Sequence, residues 1–417
     1  MRACGYLRQN GKIERKMNTR RAFFINTLTS ASALAAAKAS NIESRIGKKD
    51  WRGITREDLP TPCMILDADL FEKNLNHMAA TCKQSGLNFR GHVKIHKSVD
   101  IAKRQAALGA IGVTVATEAE AELMSGAGVK GVLLTRQPAG KEKTMRMVAL
   151  AKRDPTFITI LDDQWMADQL DEAAAAAKTK VNVVVDIFAG LQRAGIEPGP
   201  KALALAQRIS GKKNLNFKGL MAYSGIASHT KGWEARKAQS MKDIGGMLET
   251  ADLCKKAGLP VEIRSGGSTG TYNIDGGHLT ELQAGSYMFM DTGYIKIGSK
   301  AGNAIYDDFA QSLTILTTII VRQHGGVATI DAGLKAMLKP TDTVKGRPDV
   351  VVENQGAEYG ILKWKAGDRD YKLGDKVELY TTHLDMTTNV YDRYYLAKGD
   401  QIIDAYPVMG RAGAAQR

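Results

Sequence analysis

The sequence predicts a parallel (β/α)8 barrel followed by an antiparallel β domain. Three observations carry that prediction. Eight short β-branched runs, at 89–94, 112–117, 131–136, 157–162, 181–187, 217–223, 261–266 and 282–289, alternate with Ala-, Leu- and Lys-rich stretches of helical period. Several of those stretches close on Gly or Gly-Leu-Pro, where helices end. Beyond about residue 305, strand-like segments follow one another with turn signals and no helical spacer. A doubly wound open sheet shares the alternation and is the competing architecture.

Taken in order, residues 1–39 read as an export signal. Arg20 and Arg21 precede Phe23, Phe24 and an Ala-rich stretch, and Ala35, Ala37 and Ala39 suit a signal peptidase. The Arg pair points to the twin-arginine route and the bacterial periplasm, with Met17 as a plausible start. An organelle transit peptide or a loose tail is the alternative. Removal of the leader takes Cys4 and leaves Cys63, Cys82 and Cys254, an odd number that forms no complete disulfide set. The leader also explains the charge. Eleven basic and three acidic residues fall in 1–50, a net of +8 out of +14. The remainder shows no basic stripe with interleaved aromatics, which excludes a nucleic-acid partner. No apolar run is long enough for an ordinary membrane span. Residues 40–58 are a lead-in toward the β domain, 59–305 the barrel, and 306–417 the β domain.

Chemistry in such barrels sits where strands end at the carboxyl side. The first barrel run ends in HVKIHK (92–97). A lysine at an inward strand end loses solvation, which suits a Schiff-base nucleophile. The plain alternative leaves Lys94, His96 and Lys97 in a solvated loop. Thr117 ends the second run, Arg136 the third, and the fifth passes into Asp186 and then Arg193. Tyr223 ends the sixth run. The last two runs meet SGGSTGT (265–271) and ELQAGSY (281–287), Gly- and hydroxyl-rich turns where barrels of this kind cradle a phosphate. In the β domain His383 and Asp385 stand two apart on an expected strand, which would point both side chains at one cation of the Mn²⁺, Zn²⁺ or Mg²⁺ kind. A His-x-Asp triplet by chance is the plain alternative.

HVKIHK, DIFAGLQRAG (186–195), SGGSTGT, ELQAGSY and HLDMTTNVYDRYY (383–395) occur in one order. Together they resemble the D-threonine aldolase / D-serine dehydratase group, which belongs to the alanine-racemase-like, fold-type III pyridoxal phosphate enzymes. The resemblance spans residues 55 to 412 and implies roles. Lys94 would carry pyridoxal 5'-phosphate, with Arg193 near its phenolic oxygen and Tyr223 on the pyridine face. Thr117, Gly267, Ser268, Thr269, Gly285, Ser286 and Tyr287 would line the cofactor and its phosphate. Gln283 falls where alanine racemases place an arginine at the pyridine nitrogen, which argues against a racemase. His383 and Asp385 would bind the divalent cation. Asp385 stands where the dehydratase branch usually has Cys, which tips the reading toward an aldolase. The implied substrate is a small D-3-hydroxy amino acid of the D-threonine or 3-hydroxy-D-aspartate type, cleaved to glycine and an aldehyde. His96, or a metal-bound water, would serve as base. D-serine dehydratase-type deamination is the alternative, and a racemase ranks below it. A non-catalytic pyridoxal phosphate protein of this fold would lack the β domain. Arg136 would meet a substrate carboxylate or form a surface ion pair. A homodimer or a monomer fits the resemblance.

Overall fold

The computed structural model describes residues 41–411, apart from 303, 338–340, 342, 366 and 368–369. The expected export signal lies outside the described residues. Among them, no helix is long and apolar enough to cross a membrane, and Cys63, Cys82 and Cys254 are free and buried.

The chain enters through β1 (Cys63–Asp67), whose Asp67 carboxylate caps the helix Ala68–Gln84 by accepting from the Leu70 amide at 3.0 Å. Eight parallel strands then close the barrel: β2 (Asn88–His92), β3 (Gly112–Val115), β4 (Val132–Leu134), β5 (Ile158–Leu161), β6 (Val181–Asp186), β7 (Leu215–Ala222), β8 (Ile263–Gly266) and β9 (Glu281–Leu282). The seam between β2 and β9 is short, pairing Asn88 with Glu281 and Phe89 with Leu282. A buried fork reinforces it: Arg90 donates to both carboxylate oxygens of Glu281 at 3.0 and 2.9 Å, and to the Gly131 carbonyl.

Most of the predicted runs are longer than the strands they become, and in two of them the difference shapes the site. The first stops at His92, and Lys94 lies in a 3-10 turn, Val93–Ile95. The last, expected over 282–289, keeps two strand residues and then turns 3-10 over Ser286–Met288. Its apolar residues are buried because the turn is wedged against the helix Ala68–Gln84. Asn74 donates to the Met288 carbonyl at 3.0 Å, and Phe71 meets Phe289 at 6.2 Å between ring centroids.

The second sheet runs in the order β12 (Val351–Gln355), β13 (Gly360–Lys363), β11 (Val327–Ile330), β10 (Leu313–His324), β1, β15 (Arg393–Lys398), β16 (Gln401–Pro407), with β14 (Lys376–Tyr380) also on β10. This corrects two expectations. Residues 63–67, assigned to the barrel, lie in the middle of this sheet. The sheet is also not wholly antiparallel, because β1 pairs antiparallel with β10 (Cys63 with Leu316) but parallel with β15 (Met64 with Tyr394). The reason lies in the side chains. Met64 and Leu66 pack into the core shared with the barrel, while Cys63 and Ile65 pack on the other face with Leu316, Tyr395 and Ile402. A strand buried on both faces reads as a continuous apolar run, whichever sheet it joins. The lead-in joins the same sheet, since the Ile402 amide donates to the Ile54 carbonyl at 2.9 Å and Trp51 packs on this outer cluster.

Candidate active site

The carboxyl ends of the barrel strands face the loop after β14 across a cavity of about 950 Å³. Lys94 lines it from the 3-10 turn after β2, with its amide donating to His92 Nδ1 at 3.4 Å. Tyr223, one residue beyond β7, lines it too. The Lys94 ammonium lies 5.8 Å and the Arg193 guanidinium 5.5 Å from the Tyr223 ring centroid, so one aromatic ring serves two cations. Ser268, Thr269, Gln283, Gly285 and Ser286 complete the lining on the side of the last two strands. Tyr287 donates its amide to Thr269 Oγ1 at 2.9 Å, which joins the two Gly-rich turns, and Gln283 donates to Ser265 Oγ at 2.7 Å. Glycine is required at two points here. A Cβ on Gly285 would sit 2.6 Å from Ile95 Cγ1, beside the lysine turn. Gly267 has φ +73°, and a Cβ there would sit 2.8 Å from the Asp275 carboxylate.

These residues fit pyridoxal phosphate. A primary amine and an aromatic ring share one cavity with a guanidinium and two glycine–hydroxyl turns. Three residues expected in the site stand elsewhere. His96 is fully buried. Its Nδ1 accepts from the Ser98 amide at 3.1 Å, and burial with the nearby Lys97 pushes its pKa down to about 3. The tight turn that delivers Lys94 to the cavity points His96 into the core. Thr117 caps the helix Glu118–Gly126, accepting from the Glu120 amide at 3.2 Å. Tyr287 is buried with its phenol accepting from Gln105 at 3.0 Å.

His383 and Asp385 do line the cavity, but not on a strand. β14 ends at Tyr380, His383 takes a left-handed conformation (φ 45°, ψ 66°), and Asp385 lies in the short helix Leu384–Thr387. The reversal still brings the two side chains together, with Nδ1 and Oδ1 3.8 Å apart and both half-exposed. One imidazole and one carboxylate suit a first-row divalent ion or Mg²⁺ that takes its remaining ligands from water or substrate. Among the described residues no group of three His, Cys, Asp or Glu forms a closed cage.

Sequence reasoning passed over several lining groups. His92 is one, its pKa held well below the usual imidazole value by burial and by Lys94. His229 is another, an exposed ring 4.6 Å from that of Tyr294. Arg136, which the sequence reading had matched to a substrate carboxylate or a surface ion pair, lines the cavity as well, and among the described residues it makes no ion pair. Asp186, at the end of β6, is buried, and desolvation together with Asp162 pushes its pKa up to about 7. Gln137 donates to both carboxylates, at 2.8 Å to Asp162 and 3.2 Å to Asp186. The available signal was positional: His92, Arg136, Gln137 and Asp186 stand at or just beyond a barrel strand end, whereas His229 closes the short helix Gly225–His229 and carried no such signal.

Residues 66–293 match the alanine racemase N-terminal domain, and 312–397 a putative serine dehydratase domain. The 3-hydroxy-D-aspartate aldolase of Paracoccus denitrificans is 34% identical over 86% of this chain and 94% of its own length. The chain belongs to the D-threonine aldolase / D-serine dehydratase group of alanine-racemase-like proteins. With that group it is an enzyme, of the aldolase-like lyase kind. The solved structures agree. D-threonine aldolase from Filomicrobium marinum superposes with a TM-score of 0.80 at 34% identity, covering 86% of this chain and 97% of that one. D-threo-3-hydroxyaspartate dehydratase from Delftia sp. HT23 superposes with a TM-score of 0.75 at 26% identity, covering 85% and 98%. Aldolases and a dehydratase therefore stand side by side in the group, and the site itself must separate the two reactions.

Proposed function

We propose that this lyase cleaves the Cα–Cβ bond of D-3-hydroxy amino acids, using pyridoxal phosphate and a divalent cation, and yields glycine and an aldehyde. The observation that carries the reading is one cavity holding Lys94, Arg193 and Tyr223 together with the His383–Asp385 pair. Pyridoxal phosphate, when bound, supplies the electron sink that lets the Cα–Cβ bond break. A divalent ion on His383 and Asp385 supplies Lewis acidity toward the substrate's 3-hydroxyl. The chain's own residues do the rest. Lys94 anchors the cofactor through Nζ, Tyr223 and Arg193 hold its ring, and the turns at 267–269 and 285–286 take the phosphate. Gln283, a neutral amide, leaves the pyridine nitrogen without a cationic partner. The proton of the 3-hydroxyl goes to His229 at Nε2, because its Nδ1 lies 3.3 Å from the Gly225 carbonyl and the ring faces the cavity. His96, buried and outside the cavity, does not reach it.

Arg136 favours substrates with a second carboxylate, since a guanidinium without an ion-pair partner among the described residues, lining the cavity, matches that geometry. The leader reading belongs to the same proposal: residues 1–39 send the loaded enzyme to the periplasm by the twin-arginine route. Replacing Arg20 and Arg21 by Lys should leave it in the cytoplasmic fraction. The reaction is tested by product analysis with D-threonine and 3-hydroxy-D-aspartate plus Mn²⁺. Glycine with acetaldehyde or glyoxylate supports the aldolase. Ammonia with 2-oxobutanoate or oxaloacetate overturns it in favour of deamination.

A further inference from the structure

The lysine turn and the metal-pair helix are distant in sequence, and one buried ammonium touches both. Lys97 donates from Nζ to the Lys94 carbonyl, to the Asp385 carbonyl at 2.8 Å, and to Thr388 Oγ1 at 3.1 Å. Its three N–H groups thus meet three oxygens. Thr388 passes its own hydroxyl proton to the Ile95 carbonyl at 3.0 Å, so the two segments are laced twice. The Lys97 backbone is fixed as well. Its amide donates to the Val93 carbonyl at 2.7 Å, its carbonyl accepts from the Met409 and Gly410 amides at 2.9 and 3.0 Å, and its φ is 52°. A left-handed lysine that is 5% exposed is costly twice over, in backbone strain and in desolvation. A plain apolar residue would fill the space without the second cost. Arginine, with a planar fork, does not present three tetrahedral donors.

We propose that Lys97 is a positioning residue that locks the Lys94 turn to the His383–Asp385 helix, fixing the cofactor anchor relative to the metal pair. The inference rests on the roles assigned above to Lys94, His383 and Asp385. It differs from a general structural role because the two carbonyls Lys97 holds belong to the cofactor lysine and to a metal ligand. Removing it should loosen the metal pair while leaving the cofactor anchored, since Lys94 keeps its turn bonds to β2.

The test compares wild-type holoenzyme with Lys97→Met, which keeps the length of the side chain and loses the donors. Two quantities are read: the visible absorbance of the Lys94-bound cofactor and direct Mn²⁺ binding followed by electron paramagnetic resonance. The expected result is full cofactor occupancy, Mn²⁺ affinity lowered about 10- to 100-fold, as for other supporting partners of metal ligands, and kcat for D-threonine lowered about 100-fold. Unchanged Mn²⁺ affinity in a folded Lys97→Met overturns the proposal, and so does loss of cofactor in parallel with metal. Should that variant fail to fold, Thr388→Val removes the second lace and one of the three acceptors of Lys97 while keeping its two carbonyl contacts, and should weaken Mn²⁺ about 3- to 10-fold, below the range expected for Lys97→Met. No change there overturns the proposal equally. Wild-type enzyme that takes up cofactor but no Mn²⁺ refutes the assigned metal pair itself, a separate failure from that of Lys97.

Discussion

Replacing Asp186 by Asn should stabilise the cofactor-free protein, and by more at high pH than at low. Asp186 is 7% exposed, and burial beside Asp162 raises its carboxyl from 3.8 to about 7. Between those values the native state holds a proton that the unfolded chain has released. Stability therefore falls as pH rises across that window and levels off above it. At 1.36 kcal/mol per pKa unit the full cost is about 4 kcal/mol, of which somewhat under half is present at pH 5 and nearly all by pH 8. Asn keeps an oxygen that can accept from Gln137 and removes the titration. Over ~370 described residues, at about 2.1 cal/mol/K per residue, the growing difference corresponds to about 3 °C in Tm between pH 5 and pH 8. The assay is scanning calorimetry of wild-type and Asp186→Asn apoprotein at the two pH values. A Tm gap that stays constant or shrinks with pH refutes the reasoning, because it means that Asp186 is ionised in the fold without penalty.

Glu281→Gln should destabilise by about 3–5 kcal/mol in urea titrations, because it strips the charge partner from buried Arg90 at the barrel seam. Replacing Arg90 and Glu281 together with Met and Leu should cost less than the single change. Arg136→Leu should raise KM for 3-hydroxy-D-aspartate about 10- to 100-fold, the loss of one good charge-assisted contact, while leaving D-threonine cleavage within about threefold; steady-state kinetics with both substrates reads this. His229→Asn should lower kcat about 100- to 10,000-fold in steady-state kinetics, whereas His96→Asn should act on stability first.

The barrel was legible because β-branched runs and helical spacers alternate eight times, and each run of that kind has a counterpart strand. Where reading failed, the physics differs from case to case. The apolar stretch Tyr287–Met290 looks like strand because it is buried, yet a turn wedged against Phe71 buries it just as well. β1 was placed by its position in the chain, whereas its side chains obey the sheet that flanks it. His383 and Asp385 were found by residue type. Their expected strand periodicity was wrong, and a left-handed residue followed by a helical turn brought them together instead. His96 was offered as base by the resemblance, but the 3-10 turn sends neighbours in different directions: His96 is buried in the core, while His92, His229 and His383 line the cavity.

The place of β1 at the centre of the second sheet carries a consequence for synthesis. Met64 leaves the ribosome early, and its parallel partner Tyr394 is made about 330 residues later, a wait on the order of half a minute at ordinary translation speeds. For most of that wait, until β10 is made about 250 residues on, a strand buried on both faces in the finished protein has neither neighbour. A message truncated before β10 would not yield a barrel lacking an accessory domain. It would yield a barrel preceded by an unpaired, largely apolar strand, the kind of edge that recruits other chains. The sheet is thus the last part of the molecule that can close, and the His383–Asp385 segment reaches the cavity only in that closing step.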